Sequence, residues 1–197
     1  MSFKNLLVVG LGNPGKDYQE TRHNVGAEFV RHLSNTLDIS LKKEEKYSSN
    51  YGYKQVEQLK IHVSIPSVYV NESGETVSRI KKYLKLSVEE ILIVHDELDL
   101  PTGKLKLKES GGHGGHNGLK NIIDHLQGKT SFKRLRIGIN RPSKEKDLTN
   151  YVLSRPSKKE RDTLKKAMIN GLPIIEKIIQ EGWHQAVMDL HLSLIHI

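Results

Sequence analysis

Two short, uninterrupted apolar runs limit the folds open to this chain more than any other feature. Residues 6–9 read LLVV and stop at Gly10, and residues 91–94 read ILIV and stop at His95 and Asp96. Unbroken runs of leucine and β-branched residues are typical of strands that are buried on both faces, as in a sheet covered by helices. Both runs therefore predict central strands.

Helical spacing separates the predicted strands. Apolar residues recur three or four positions apart from Asn24 onward, at residues 75–86, and again at residues 158–192. That spacing places the apolar side chains on one face of a helix, which can pack on a sheet. A short helix at residues 119–126 and a strand at residues 135–139 are also expected.

Residues 47–65 alternate between polar and apolar side chains, and Pro66 follows them. Period-two alternation indicates a strand or hairpin with one exposed face, and the pattern at Leu105 and Leu107 indicates another strand. Strands that alternate with helices favour an α/β fold. We therefore expect a single-domain three-layer sandwich, in which a mixed, mostly parallel, twisted sheet has helices on both faces.

The length of the chain, 197 residues, suits one domain with one sizeable core. Residues 1–192 are predicted to form that domain, and residues 193–197 a disordered or non-native end. The apolar run near the N-terminus is too short for a signal peptide or a membrane span. A cytoplasmic protein that makes no membrane contact is therefore expected.

Two features of the composition restrict the chemistry. The chain has no cysteine, which excludes disulfides, thiolate metal ligands and a thiol nucleophile. It has 31 Lys and Arg against 23 Asp and Glu, a formal net charge of +8. This excess attracts phosphate-rich partners, although charge alone does not establish that the partner is a nucleic acid.

The first predicted strand leads into a loop that matches the dinucleotide-binding pattern G-x-G-x-x-G at residues 10–15. That fingerprint also requires a helix that begins within the motif and a second strand that ends in an acid about 20 residues further on. Here Pro14 disfavours helical geometry at Asn13, and residues 36–46 do not resemble a strand. A nucleotide-dependent oxidoreductase is therefore disfavoured, and a glycine turn without function is the other alternative.

His23 and Asp96 form the candidate catalytic pair. Asp96 ends a buried strand, where an unpaired charge is costly, so that it needs a partner. A carboxylate that accepts from one imidazole nitrogen fixes the tautomer and leaves the other nitrogen to take a proton from water. Two alternatives remain open: His23 is a cap or surface residue, and Asp96 caps a turn with Asp99.

Residues 111–118, GGHGGHNG, are too rich in glycine for an ordinary loop, and close approach of the backbone to a ligand is one reason for such a composition. His113 and His116 suggest zinc only weakly, because neither a helical H-E-x-x-H motif nor a cysteine accompanies them. Asn71 offers an amide, or it serves as a helix N-cap. The chain has no G-x-S-x-G elbow, which favours water as the nucleophile.

Several segments together closely resemble the bacterial peptidyl-tRNA hydrolase family, from the first strand to about residue 191. The segments are VGLGNPGKDYQETRHNVG, PSVYVNESG, VHDELDLPTGKLKLK, SGGHGGHNGLK and FKRLRIGINRP. They agree with the family in order and in spacing. Tyr69 stands where the family often has Phe, and Val70 where it has Met, and both substitutions preserve an apolar or stacking surface.

The resemblance implies a role for each matching residue. His23 is the general base, Asp96 stabilises its proton-accepting form, and Asn13 helps to distinguish a blocked amino group from a free one. Four further side chains contact the 3′ end of the tRNA or its peptide, and His116 is also assigned to the substrate site. The four are Tyr18, Tyr69, Asn71 and Asn117. Lys106 and Arg136 match the positions that hold the 5′ phosphate, with Lys108 beside them.

The activity that follows from the resemblance is hydrolysis of the ester between a peptide and its tRNA, without a metal or another cofactor. The expected partner is peptidyl-tRNA, contacted at its acceptor stem, 3′ end and 5′ phosphate. No obligate protein partner is expected, and the resemblance favours a monomer. The main alternative is a tRNA-binding homologue with the same fold and little catalysis, because a fold alone does not determine function.

Overall fold

A seven-stranded sheet forms the centre of the computed structural model, which describes residues 4–142 and 148–193 and the side chains as far as Leu190. The strands are β1 (Asn5–Gly10), β2 (Lys42–Glu44), β3 (Ser49–Val56), β4 (Leu59–Pro66), β5 (Ile91–Glu97), β6 (Leu105–Lys108) and β7 (Lys133–Gly138). The α-helices are α1 (Val25–Thr36), α2 (Ser73–Leu84), α3 (Asn117–His125), α4 (Leu148–Leu153), α5 (Lys158–Glu181) and α6 (Trp183–Ser193).

The strand order is β2-β3-β4-β1-β5-β7-β6. Strands β4, β1, β5 and β7 run parallel in the centre, whereas β2 and β3 on one side and β6 on the other pair antiparallel. The two unbroken apolar runs lie in β1 and β5, which are neighbours. The prediction of a mixed, mostly parallel sheet is confirmed for its centre, and the strand or hairpin predicted at residues 47–65 is present as the hairpin of β3 and β4.

Helices cover both faces of the sheet, as predicted. On one face, α1, α5 and α6 bury side chains such as Phe29, Ile175 and Trp183 against the sheet. On the other face, α2 and α3 bury Ile80 and Ile122 in the same way. The two apolar layers make the three-layer α/β arrangement, because each helix removes one apolar stripe from water against the central strands.

The prediction that residues 36–46 contain no strand was wrong, since Lys42–Glu44 forms β2. This three-residue edge strand has no buried apolar side chain that could have marked it. Its pairing with β3 creates it, so a pattern of side chains could not reveal it.

At the other end of the chain, Ser193 belongs to α6 rather than to the predicted tail. The remainder of that predicted tail, residues 194–197, lies outside the described residues.

The start of α1 is packed directly against β5. A Cβ atom at Gly26 would lie 2.2 Å from the carbonyl oxygen of Val94, so no larger side chain fits there. This close approach brings the residues just before α1 to the carboxyl end of β5.

Within the described part of the chain, none of the helices has the length and hydropathy needed to span a bilayer.

Candidate active site

A cleft of about 460 Å³ opens at the carboxyl ends of β1 and β5. Ligands of open α/β sheets bind at this edge, where loops follow the parallel strands. The loop after β1, the end of β5, the glycine loop before α3, and α4 form its walls. The polar lining residues with sequence-predicted roles are Asn13, His23, Asn71, Asp96, His116 and Asn117.

His23 and Asp96 meet at the floor of this cleft. His23 lies in the single 3-10 turn Arg22–Asn24 that precedes α1, and Asp96 is the penultimate residue of β5. The Nδ1 atom of His23 is 2.9 Å and 3.0 Å from the two carboxylate oxygens of Asp96. The predicted contact is therefore present, and both distances are within hydrogen-bonding range.

His116 is a second imidazole partner of Asp96. It is the N-cap of α3, and its Nδ1 accepts hydrogen bonds from the backbone N–H groups of Gly118 and Leu119 at 3.1 Å and 3.3 Å. A nitrogen that accepts carries no proton, so the proton of a neutral His116 ring is on Nε2. This Nε2–H donates to Asp96 Oδ1 at 3.0 Å.

Asp96 is thus a buried carboxylate that accepts from two imidazoles. Its side chain is 3 % exposed, and the rings of His23 and His116 lie 5.0 Å apart. Because the carboxylate accepts at His23 Nδ1, that nitrogen is protonated, and the Nε2 atom of His23 keeps its lone pair. Such an arrangement can remove a proton from a water molecule in the cleft.

The electrostatics of the pair favour a charged His23–Asp96 couple. Burial of His23 disfavours the imidazolium, but the charge and hydrogen bond of Asp96 outweigh it and raise the pKa of His23 above 6.5. Burial of Asp96 opposes its ionisation, and the two histidines more than compensate, which holds the pKa of Asp96 well below 3.8. Asp96 therefore remains ionised throughout the neutral range.

Two alternatives from the sequence were wrong. Asp96 does not cap a turn with Asp99, because its carboxylate oxygens bond to the two histidines and the Asp99 side chain pairs with Arg141. Asn71 is not the helix N-cap, because it lies inside the turn Val70–Glu72, whose N-cap residue is Tyr69. The side chain of Asn71 is therefore available at the cleft, which it lines.

The side chain of Asn13 is held in one orientation. Its Oδ1 accepts from the backbone N–H of Val70 at 2.9 Å, and its backbone N–H and carbonyl bond to the side chain of Asn24. With Oδ1 engaged, the amide Nδ2 is the group that Asn13 can offer to a ligand. Asn117, the first residue of α3, and Asn71 line the same cleft with exposed side chains.

The predicted tRNA-contacting residues outside the cleft form two groups. Tyr18 and Tyr69 pack edge to face, with ring centroids 6.0 Å apart, and Tyr69 is 50 % exposed. Lys106 on β6 is paired in register with Arg136 on β7, whose Nε donates to Glu97 at 2.8 Å. Lys108 is exposed, and its ammonium lies next to Gly111. The sheet thus brings these cations to the edge nearest the glycine loop.

The glycine loop requires its composition. Gly111, Gly114 and Gly115 have φ angles of 138°, 57° and 83°, a region that residues with a Cβ rarely adopt. Buried Arg134 holds the start of the loop, because its guanidinium donates to the carbonyl oxygens of Gly112, at 2.6 Å, and Gly111. The loop that carries His116 is therefore anchored to β7.

Comparison with known proteins places this arrangement in a family. The family model described as peptidyl-tRNA hydrolase matches residues 7–194. This chain belongs to the peptidyl-tRNA hydrolase family. The prediction from the motifs is confirmed, and the match includes the site residues described above.

Individual members of the family are similar to this chain over nearly its whole length. A peptidyl-tRNA hydrolase of Coxiella burnetii is 45 % identical over 186 residues, which are 94 % of this chain and 96 % of the relative. One from Dichelobacter nodosus is 43 % identical over 94 % of this chain and 97 % of the relative. The crystal structure of peptidyl-tRNA hydrolase from Acinetobacter baumannii has a TM-score of 0.90 and 36 % identity, with 96 % of each chain covered.

Two residues that shape the site of this family member were missed in the sequence. His95 is buried beneath His116, with ring centroids 5.1 Å apart, and burial together with the nearby His116 lowers its pKa to about 3. Arg22 anchors the turn of His23, through two hydrogen bonds to the carboxylate of Glu160 at 3.0 Å and 3.1 Å. Both residues lie in the quoted motifs, directly beside Asp96 and His23, and this adjacency was the available signal.

The donor atoms of His23, Asp96 and His116 lie within 4.8 Å of one another, close enough to suggest a metal site. The zinc alternative from the sequence pairs His116 with His113, which is not part of this group and accepts a hydrogen bond from Gly115 N–H. A metal at His116 Nε2 would require the proton to move to Nδ1, which faces two backbone N–H donors. The chemistry of the donors thus disfavours metal binding here.

Proposed function

We propose that this protein hydrolyses the ester bond of N-acyl-aminoacyl-tRNA, which releases the peptide and free tRNA for reuse in translation. The single observation that supports the proposal most strongly is the contact of His23 Nδ1 with both carboxylate oxygens of Asp96, at 2.9 Å and 3.0 Å, at the floor of the cleft. The names of the relatives, peptidyl-tRNA hydrolases in each case, point to the same reaction. Translation takes place in the cytoplasm, so we also propose a cytoplasmic enzyme. The resemblance to the family supports a monomer.

In the proposed mechanism, His23 Nε2 takes a proton from a water molecule, whose oxygen attacks the ester carbonyl. The proton then passes to the departing ribose oxygen, so that the enzyme returns to its starting state. A positioned general base supplies on the order of 10²–10⁴ in rate. Ionised Asp96 favours the imidazolium that forms in between, and this stabilisation applies in the transition state.

The amide groups of the cleft complete the proposed site. A negative charge develops on the carbonyl oxygen during attack, and each preorganised donor contributes about 10²–10³ in rate. Asn13, Asn71 and Asn117 are the candidate donors, and Asn13 is preorganised by its bond to Val70 N–H. We propose that His23 activates the water and that these amide donors stabilise the carbonyl oxygen it attacks. The reaction then needs no metal ion.

The same amides support a preference for blocked substrates. A free aminoacyl-tRNA presents an ammonium group, whose desolvation is costly unless a carboxylate pairs with it. An N-acylated substrate presents a neutral amide, which can bond to Asn13 and Asn117. The carboxylate of Asp96 is already occupied by two histidines, so we propose that it does not serve as the partner of an ammonium.

The acyl-amino acid released from N-acetyl-aminoacyl-tRNA, with and without a chelator, is the direct test of this proposal. We expect release that persists in the chelator and requires no nucleotide cofactor. Binding of the tRNA without release would show a binding module instead. Release that stops in the chelator and returns with added metal would overturn the metal-free mechanism.

The activity should fall on the acidic side with an apparent pKa above 6.5. Asp96 raises the pKa of His23 above this value, and only the neutral imidazole can accept the proton of water. As the pH falls through the raised pKa, His23 becomes protonated and kcat/KM decreases about tenfold per pH unit. A pH profile of kcat/KM from about 5 to 9, with tRNA binding measured in parallel, checks this expectation. An acidic limb well below 6.5 would contradict it.

Substrate binding should weaken with salt, and Lys106→Gln should reduce the slope of log Kd against log salt by about 1. The proposed reason is that Lys106, exposed on β6, contacts the 5′ phosphate of the tRNA. Arg136→Gln should cost more affinity at every salt concentration, because it also leaves Glu97 without its ion-pair partner beside the cleft.

Fluorescence titration of labelled tRNA at several salt concentrations measures both effects. Lys166→Gln is the matched control, since this lysine is exposed on α5. A slope that changes as much in the control as in Lys106→Gln would show a general effect of net charge. That result would exclude a phosphate contact at Lys106.

A further inference from the structure

Tyrosine side chains form a continuous path from the end of α2 to the edge hairpin of the sheet. Tyr83 packs edge to face on Tyr47 at 5.6 Å between ring centroids, and Tyr47 packs on Tyr51 at 5.0 Å. Tyr51 lies 6.3 Å from Tyr53 on the same strand. Tyr83 and Tyr53, the two ends of this aromatic path, are 64 % and 58 % exposed, the highest values among the large hydrophobic side chains of the described residues.

Cations lie against the exposed rings. The ammonium of Lys46 is 4.4 Å from the ring centroid of Tyr83 and 4.8 Å from that of Tyr47. The ammonium of Lys60 is 4.1 Å from the ring centroid of Tyr53. At these distances the rings attract the cations, so that positive charge is held beside each aromatic face.

The charge around the aromatic path is positive overall. Arg79 reaches Ser48, next to Tyr47, and Lys81, Lys82 and Lys85 occupy the last turn and C-cap of α2, at the same end of the helix as Tyr83. Three acids lie near them: Glu75, which is bonded to Arg79, Glu45, which is paired with Lys43, and Glu44, whose charge acts on Tyr47 and Tyr51. The lysines therefore outnumber the acids, which favours an anionic partner.

The floor of the path is rigid. Tyr51 is buried, and its hydroxyl is 2.6 Å from Nδ1 of His62, whose Nε2 is 3.2 Å from Asn5 Oδ1. Burial and the charge of Lys60 lower the pKa of His62 to about 4, so the ring is neutral at pH 7. A neutral ring with Nε2–H donating to Asn5 accepts from the tyrosine at Nδ1. This hydrogen-bond network fixes the Tyr51 ring, against which Tyr53 packs.

The path is separate from the proposed 5′ phosphate site. Tyr53 is on β3 and Lys106 on β6, with four strands between them. Five strand spacings of 4.8 Å amount to about 24 Å across the sheet. The two basic surfaces therefore lie toward opposite edges of the molecule.

We propose that the aromatic path is a second RNA-binding surface, which stacks unpaired bases on Tyr53 and Tyr83 and holds the flanking phosphates with the lysines. Exposed aromatic rings interleaved with cations are the features by which proteins bind single-stranded nucleic acid without sequence preference. An acidic protein segment would use the lysines but gain little from the rings. The surface does not depend on the hydrolytic function of the cleft.

Binding of a labelled polyuridylate of about 12 nucleotides tests the proposal, because single-strand sites span roughly 4–16 nucleotides. The double variant Tyr53→Ala/Tyr83→Ala should weaken binding by at least about 30-fold, and Tyr53→Phe/Tyr83→Phe should restore it, since stacking requires the ring and not the hydroxyl. Lys46→Gln should reduce the salt slope by about 0.7. Both replaced tyrosines are largely exposed, so the fold should be retained.

Two control variants decide the outcome. Ile169→Ala/Met188→Ala removes exposed apolar side chains elsewhere and should leave binding unchanged. Lys106→Gln/Arg136→Gln should also leave polyuridylate binding unchanged while it weakens binding of the tRNA substrate. Equal loss in this phosphate-site variant and in the tyrosine variant would overturn a separate surface. Wild-type binding that polyglutamate displaces as well as RNA does, or that survives the loss of both tyrosines, would overturn stacking.

Discussion

Replacing His23 by alanine should lower kcat for N-acetyl-aminoacyl-tRNA by about 10²–10⁴-fold, the contribution of a positioned general base. The affinity for the tRNA should change little, because His23 lies at the floor of the cleft, away from the proposed phosphate contacts. The fold should be retained, since Asp96 keeps the hydrogen bond from His116 and is not left as an unpaired buried charge. Single-turnover kinetics and a tRNA titration measure the two effects separately.

His184→Ala is the matched control. His184 is exposed and lies beside a different cavity, which contains the first residues of β4 and β7 and so opens at the opposite ends of the parallel strands. Its variant should be as active as the wild type. Loss of tRNA binding and of the folded state in His23→Ala would identify a structural histidine. Unchanged kcat would exclude His23 as the general base.

The sequence predicted the parallel centre of the sheet because burial on both faces leaves an unmistakable apolar run in β1 and β5. It did not predict β2, whose residues Lys42–Glu44 carry no such pattern and become a strand only through pairing with β3. Helix α4, Leu148–Leu153, was missed for a related reason. It is six residues long, too short for a helical period to be recognised.

The candidate site was predicted in part. A carboxylate at the end of a buried strand needs a partner, and this requirement led to His23. The position of His116 on the same carboxylate could not be derived, because it depends on the path of the glycine loop. That path is held by Arg134, which donates to Gly111 and Gly112 from a strand that follows 22 residues later. Arg22 likewise finds Glu160 across 138 residues, a distance over which spacing carries no information.

Asp96→Asn should lower kcat nearly as much as removal of the base, by about 10²–10⁴-fold, through a change of tautomer. The backbone of α3 fixes the His116 ring, so we expect its Nε2–H to donate to the amide oxygen of the new side chain. The amide nitrogen then lies in place of Oδ2, 3.0 Å from His23 Nδ1, and we expect this nitrogen to accept from it. The proton of His23 moves to Nε2, the atom that should take the proton of water.

The pH profile distinguishes this effect from simple misfolding. In the wild type, the charge of Asp96 overcomes burial and raises the pKa of His23, whereas in Asp96→Asn only burial remains, so the pKa should fall below 6.5. We therefore expect the residual activity to lose its acidic limb between about pH 6 and 7, while kcat stays low on the plateau. Asp162→Asn, an exposed acid-to-amide change on α5, should alter neither. Among the described residues, Asp96 is the one that supplies a negative charge in contact with His23 Nδ1. An unchanged acidic limb in Asp96→Asn would therefore mean that a group other than His23 sets the pH dependence.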